Sequence, residues 1–492
     1  MRYVLFGMLT MLATSLPISP ATATAPTTPA AAEAIGTPGP TLLSAASPRG
    51  DWAVVCQARA DTNGDGRLHV DVEIHHGFLS GDAMVPYLVW GSGSGEPIER
   101  FLGRDPTGRF LLGRTAAGLV LWDADDRRPT VLAAPGDAPD TFAFADGGTH
   151  LLYVRGPADA QRLVSRRLAD GHEAVFDLDA RGLWLLEPAP SGSLVALHFV
   201  EADPDAGGPV PAAPGGWSDG GASACRGSPM ARSWIPRKGT RNVVRIGRLD
   251  GGAPVPAPGF AGFAGPRFLT IEGDGRLVFR TPEGLFAEVA SAPCAGVPLI
   301  YDPMSDRLGL ACTGLKAERE DTSPLYIFEP GRGLTPVGPD AWSFIGRDRP
   351  QVGGQWVVTQ FAEGRGPHQI FETFVLDLRA STARIHRRRL HEEGPVVGAE
   401  IVRRKGQLHV VLPSGRAYPL GIEAPRHFSS FKLSPDRVWV EGRLVDLERH
   451  RVLGRTPMPL FLTEDDRVLV PSREEFYQAG LVIGPLQWVR PR

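Results

Sequence analysis

From residue 47 onward the chain repeats one alternation of polar and apolar positions. A polar turn rich in Pro, Asp and Gly leads into a run of β-branched, leucine and aromatic residues, then a second turn and a second run. Copies begin at Ser47 (SPRGDWAVVC), Arg104 (RDPTGRFLLG), Phe144 (FADGGTHLLYV), Ala189 (APSGSLVALHFV) and Leu433 (LSPDRVWVEGR). Short apolar runs bounded by turn formers predict strands. No stretch of eleven or more residues keeps helical spacing beyond the first segment, so the pattern predicts an all-β protein.

Spacing chooses among all-β architectures. The phrases at Arg104, Phe144 and Ala189 follow one another at 40 and 45 residues, the length of one four-stranded propeller blade. The expected fold is a β-propeller of seven or eight blades, each a four-stranded antiparallel sheet. One blade cannot bury both its faces, so stacking many around an axis makes the core. Trp52, Trp90, Trp122, Trp184, Trp342, Trp356 and Trp439 recur in or near the strands and are read as part of it.

The turn and strand phrase, as in Ser434-Pro435-Asp436-Arg437-Val438-Trp439-Val440 and Asp105-Pro106-Thr107-Gly108-Arg109-Phe110, resembles the repeat of TolB-like, WD-type β-propeller proteins. The resemblance spans about residues 47 to 485. It implies an exported bacterial propeller, often of the periplasm, serving as an interaction platform, and it hands over no catalytic residue. A similar repeat forms the propeller portion of prolyl-oligopeptidase-like enzymes, so fold alone does not assign function.

The N-terminus changes the expected compartment. Met1-Arg2, the apolar Tyr3 to Leu16 and the small residues Ala21 to Ala25 read as a secretory signal peptide over residues 1–23. No cysteine stands there for a lipoprotein anchor, and no later apolar run is long enough to span a bilayer. Residues 24–47, rich in Pro, Ala and Thr, read as a flexible tether, leaving 48–492 as a single propeller domain. The expected location is periplasmic or secreted, with a monomer as the expected state.

The chain has 492 residues, 59 of them Gly and 46 Pro, and a net charge of −3. That balance gives no field for nucleic acid. The local exception is His386-Arg387-Arg388-Arg389 with His391 and Arg403-Arg404-Lys405. Its plain reading is charged strand edges that deter aggregation, and its other reading is a seat for an anionic glycan or lipid headgroup.

Four cysteines in an oxidising compartment favour disulfides. Cys294 and Cys312 lie in or beside strand-like runs joined by a turn, which suggests a local bridge and leaves Cys56 to pair with Cys225. Buried free thiols are the other reading. The sharpest chemical feature is Asp61-Thr62-Asn63-Gly64-Asp65-Gly66. Oxygen side chains at alternate positions closed by glycine suit calcium, with Asp61, Asn63 and Asp65 as ligands. Val72 stands where an EF-hand needs a bidentate acid, so a polar reversal of the chain stays open as the alternative. The irregular stretch from 203 to 240 carries Trp217, Cys225, Arg232 and Trp234 and is a candidate binding loop.

No G-x-S-x-G sits in a strand-to-helix context, and no α/β segment remains to hold a hydrolase triad. The functional expectation is a non-catalytic platform binding an envelope or extracellular protein or glycan, with calcium as its one expected cofactor. The alternative is a propeller glycosidase or polysaccharide lyase with carboxylates in the axial channel.

Overall fold

The computed structural model describes residues 33–35 and 41–491 except 59, 61–72, 75–76, 79–83, 92–94, 138–140, 191, 203–239, 273–276, 284–285, 291–294, 303, 314–321, 324, 338–340, 343–350, 353–354, 364–369, 390–398, 413–415, 424–429, 435, 457–458, 460, 472–473, 478–479 and 484–485. Nine four-stranded antiparallel sheets and one three-stranded sheet follow one another along the described chain. The protein is an all-β propeller.

Blade 1 is Thr41–Ala46, Trp52–Ala58, Met84–Trp90 and Glu96–Pro97, and blade 2 is Arg100–Arg104, Phe110–Thr115, Gly118–Asp123 and Arg128–Ala133. Blade 3 is Phe142–Ala145, His150–Arg155, Arg162–Arg167 and Glu173–Val175. Blade 4 is Leu183–Pro188, Leu194–Ala202, Thr240–Arg248 and Val255–Pro256, and blade 5 is Phe260–Ala264, Arg267–Ile271, Leu277–Arg280 and Phe286–Ala290. Blade 6 is Ala295–Asp302, Arg307–Thr313, Leu325–Glu329 and Gly333–Pro336. Blade 7 is Gln351–Val352, Gln355–Glu363, Ile370–Asp377 and Thr382–Arg389, and blade 8 is Glu400–Arg404, Gln407–Val411 and Ala417–Glu423. Blade 9 is Ser430–Ser434, Arg437–Val440, Arg443–Asp446 and Arg451–Arg455. Blade 10 is Phe461–Leu462, Val468–Pro471 and Leu486–Val489, completed by Glu33–Ile35.

Two expectations are corrected here. Ten sheets stand where the spacing suggested seven or eight, because blades 8, 9 and 10 begin at Glu400, Ser430 and Phe461, only about 30 residues apart. Tight reversals such as Lys405-Gly406 and Glu441-Gly442 make those blades shorter than the unit length assumed. The tether expected over residues 24–47 is also shorter than its composition suggested. Thr41–Ala46 is the first strand of blade 1, and Glu33–Ile35 pairs with Trp488, Gln487 and Leu486. Strand addition works through backbone hydrogen bonds and does not need a dense apolar sequence.

The core lies between blades. Leu111 and Leu112 are adjacent on one strand and both fully buried, yet Leu111 packs with Trp52 and Val54 of blade 1 while Leu112 packs with Leu151 and Tyr153 of blade 3. Side chains alternate across a strand, and both faces of a middle strand meet a neighbour, which is why these strands read as continuous apolar runs. The same packing links blades 3 to 4, 4 to 5 and 5 to 6, then 8 to 9 and 9 to 10. Blades 6 and 7 are joined by Arg307, which donates to the carbonyls of Leu378 and Arg379 at 2.9 and 3.0 Å. Leu469 and Trp488 of blade 10 pack with Ala53 and Val55 of blade 1, which brings the last blade onto the first. First strands of neighbouring blades touch each other, as Phe142–Ala145 touches Leu183–Pro188, so the first strand is innermost.

Candidate binding face

Antiparallel order places the connections from first to second and from third to fourth strands at one end of the propeller. Those from second to third strands, and those between blades, lie at the other. No connection between described strands at the first end exceeds six residues. At the second end, residues 59–83 of blade 1, 203–239 of blade 4 and 472–485 of blade 10 all join second to third strands.

The recurring Pro, Asp and Gly phrase occupies the short-turn end, where its side chains hold the scaffold together. The buried carboxylate of Asp105 accepts from the Thr107 and Phe110 amides at 2.9 and 2.7 Å. Trp52 Nε1 donates to the Gly108 carbonyl of the next blade at 2.7 Å. Arginine and aspartate then join blade to blade. Arg49 meets Asp125 at 2.8 Å, Arg267 meets Asp306 at 2.5 Å, and Arg437 meets Asp466 at 2.7 Å. Arg467 of blade 10 donates to the Arg49 carbonyl of blade 1 at 2.8 Å, across the ring closure.

The candidate calcium and binding-loop residues from the sequence belong to segments that join second to third strands. Asp61, Asn63 and Asp65 lie between Trp52–Ala58 and Met84–Trp90, and Trp217, Cys225, Arg232 and Trp234 between Leu194–Ala202 and Thr240–Arg248. These residues, with Cys294 and the segment 1–23, lie outside the described residues. The two segments occupy the same topological position in their blades, after a second strand. Among the described residues no group of three His, Cys, Asp or Glu could hold a metal ion. Cys56 is fully buried in blade 1 and disulfide-bonded, while Cys312 lies opposite Gly296 in blade 6.

At the base of the 203–239 segment, blade 4 carries a cluster that the sequence pattern did not single out. His198 is 8% exposed, set between Trp184 at 5.9 Å and Phe260 of blade 5 at 6.0 Å, both edge to face. Its Nε2 lies 3.3 Å from a carboxylate oxygen of Glu187, which is half exposed on the innermost strand. Asn242 accepts from Trp184 Nε1 at 3.3 Å and stands 3.5 Å from His198 Nδ1. Nearer the end of the blade, Glu201 pairs with Arg245 at 3.0 Å and with Arg241 at 3.6 Å, while Arg245 lies over the Phe199 ring at 5.1 Å. The cluster fixes the strand ends from which the segment departs. His198 as a lone polar residue in LVALHFV was the available signal, but its partners come from three other strands.

The channel-side acids are sparse. The described first strands carry Glu187, Asp302 and Glu400. Asp302 is buried and engaged with Arg379 by two hydrogen bonds of 3.0 Å, and Ser305 donates to it at 2.6 Å. The Arg379 guanidinium and the Ser305 hydroxyl hold its carboxyl down at about 2, against the opposing effect of burial. A carboxylate so committed is a strut between blades 6 and 7.

No protein-family model and no curated protein matches the chain. Among solved structures it is similar to dipeptidyl peptidase 4 from Porphyromonas gingivalis, with 8% identity and a TM-score of 0.38 over 75% of this chain. It is similar to a putative TolB from Agrobacterium tumefaciens, with 15% identity and a TM-score of 0.23 over 43% of this chain. A third likeness is to the WD40 domain of SCAP from fission yeast, with 8% identity and a TM-score of 0.32 over 78% of this chain. The chain spans 57% of that peptidase, 62% of that TolB and 96% of that WD40 domain. These likenesses concern the fold alone. No helix long and apolar enough to cross a membrane occurs among the described residues.

Proposed function

We propose that the protein is a non-catalytic, exported interaction platform that binds a protein or glycan of the bacterial envelope through its long-connection end. The observation that carries this reading is the asymmetry between the two ends. One is built of short turns tied together by Arg and Asp, whereas the other carries the connections of 59–83, 203–239 and 472–485. Variable connections on a rigid scaffold are where binding residues concentrate. The inner strands add little for glycoside cleavage, which needs two cooperating carboxylates, since Asp302 is tied to Arg379.

The test places a photo-crosslinking residue at exposed positions of either end in the exported chain. Val85 and Arg241 are the second residues of third strands, next to the long connections, and Met304, 82% exposed, lies in a first-to-second turn. Envelope adducts are expected from Val85 and Arg241 and not from Met304. Adducts from Met304 alone would overturn the reading, as would turnover of a polysaccharide panel by the purified chain. Export is checked by N-terminal sequencing, with Thr24 expected as the first residue.

A further inference from the structure

The hydrogen-bonding roles around His198 follow from one fixed donor. An indole nitrogen can only donate, so the Asn242 oxygen that Trp184 Nε1 meets at 3.3 Å is the acceptor. The Asn242 amide nitrogen is then the atom that faces His198 Nδ1 at 3.5 Å. An amide nitrogen also only donates, so Nδ1 is the bare, accepting nitrogen of the ring and Nε2 carries the proton. This chain of donors fits a neutral imidazole.

The ring is nevertheless poorly satisfied. Nε2 is shut off from solvent and makes no hydrogen bond, although a Glu187 carboxylate oxygen stands 3.3 Å away. Among the described residues Glu187 is the one charged group paired with the ring. Trp184 and Phe260 flank it, and Val244 stands opposite it on the third strand. The blade 5 strand packed against it, Phe260–Ala264, carries no titratable side chain. Arg248, on the same face of the third strand, lies at the short-turn end and pairs with Asp250 and Glu283. Glu201, Arg241 and Arg245 pair with one another on the other face of the blade, where alternation places them.

A second ring proton reverses this pattern. At Nδ1 it would meet the Asn242 amide nitrogen, donor against donor, and Asn242 relieves the clash by turning its oxygen from Trp184 to His198. The imidazolium at the same time draws in the Glu187 carboxylate. We propose that His198 is a proton-operated switch at the root of the 203–239 connection, which on gaining a proton takes the Asn242 oxygen from Trp184 Nε1 and tightens on Glu187. Glu187 and Asn242 are both exposed, so protons reach the buried ring without unfolding of the blade. Asn242 stands two residues after Thr240, the first residue of the third strand, so the rearrangement is made at the base of the long-connection end. Histidine is the side chain whose charge ordinarily changes between pH 5 and 8. The switch is read without a bound partner, so its failure leaves the reading of that end as an interaction face untouched.

The test follows the indole N–H signals of the full mature chain, nitrogen-labelled at its ten tryptophans, by nuclear magnetic resonance from pH 8 to 5. Trp184→Phe assigns the Trp184 signal by its disappearance. In the unmodified chain that signal should move upfield along a one-proton curve, as an indole does when it loses its acceptor. His198→Gln should abolish the movement. Glu187→Gln should lower the midpoint by about half a pH unit or more, and Asn242→Asp should raise it by as much, because the first removes and the second adds a negative charge beside the imidazolium. The carboxylate of the Asn242→Asp variant has two oxygens and holds Trp184 and His198 together, so the movement should shrink there at least two-fold. Melting curves are taken first, and if His198→Gln does not melt cooperatively, His198→Phe takes its place under the same criteria. The proposal is overturned if the Trp184 signal stays in place between pH 8 and 5, or if it moves as far without His198. It is overturned equally if the two charge variants shift the midpoint the same way, or if Asn242→Asp keeps the full movement.

Discussion

Pro48 of blade 1 lies against Gly108 of blade 2 so closely that a Cβ added to the glycine would stand 2.4 Å from the proline Cδ. Pro106 of blade 2 stands in the same relation to Gly148 of blade 3, where the distance would be 2.9 Å. Proline and glycine of the repeated turn therefore meet across neighbouring blades. The proline of one turn covers the glycine of the next. The phrase recurs because each copy must fit the copies beside it, and the glycines at φ +73 and +93 adopt a backbone that other residues resist.

Gly108→Ala should therefore destabilise the propeller by about 2–3 kcal/mol, combining left-handed strain with displacement of Pro48. Gly136→Ala is the matched control, because Gly136 has φ +84 with nothing within 4 Å of its Cβ position. It should lose only about 1 kcal/mol. Urea midpoints of the two variants check the difference, and equal losses would remove Pro48 from the explanation.

Acid should release the strut between blades 6 and 7. Asp302 titrates at about 2 in the folded protein against 3.8 for a free carboxyl. A depressed carboxyl pKa adds stability that is complete above the unfolded value and lost as pH falls through the folded one. The expected loss lies between pH 4 and 2 and amounts to about 1–2 kcal/mol, because the half-exposed Arg379 is screened by solvent. Unfolding followed at pH 5, 4, 3 and 2 should show a steeper decline in the unmodified chain than in Asp302→Asn or Arg379→Ala. Parallel declines would assign the acid sensitivity elsewhere.

Strands and turns were legible in the sequence because their determinants are local: the continuous apolar run Phe110-Leu111-Leu112, glycine and proline in the turn before it. Ring closure was not, since Ile35 pairs with Leu486 through backbone groups that no side-chain pattern announces. His198 was equally hidden. Trp184 is 14 residues away and Phe260 belongs to another blade, so only the tertiary fold makes a lone histidine part of a cluster. The common position of Asp61 and Trp217 after second strands was half legible, from the acidic stretch that follows an apolar run in both places.

Cys56 gives the next prediction. It is buried and disulfide-bonded, and the pairing proposed from sequence joins it to Cys225 and Cys294 to Cys312. A non-reducing digest read by mass spectrometry should return those two linked peptides. The Cys56–Cys225 bridge would close a long stretch of chain, and reduction should then cost about 2–5 kcal/mol of stability. Recovery of Cys56 with Cys294 or Cys312 would replace the pairing.

The calcium expectation is separable from a simple polar turn by melting the mature chain with millimolar calcium and with chelator. A ligand that binds only the native state raises the melting temperature by mass action. The rise is expected in the unmodified chain and is expected to vanish in both Asp61→Ala and Asp65→Ala. An unchanged melting temperature would return residues 61–66 to an ordinary reversal of the chain.

Glu33–Ile35 supports the last prediction, because it is the outer strand of blade 10 and yet belongs to the N-terminal segment. A chain beginning at residue 32 keeps the three pairs with Trp488, Gln487 and Leu486, while one beginning at residue 38 loses them and keeps the first strand of blade 1. Three paired positions contribute about 2–3 kcal/mol of net backbone hydrogen bonding. Their removal also bares the edge of Leu486–Val489, and an open edge recruits further strands. The shorter chain should melt earlier and associate with rising concentration in sedimentation, and the longer should match the mature protein in both. Identical behaviour of the two truncations would mean that the packing of Leu469 and Trp488 on Ala53 and Val55 closes the ring without the strand.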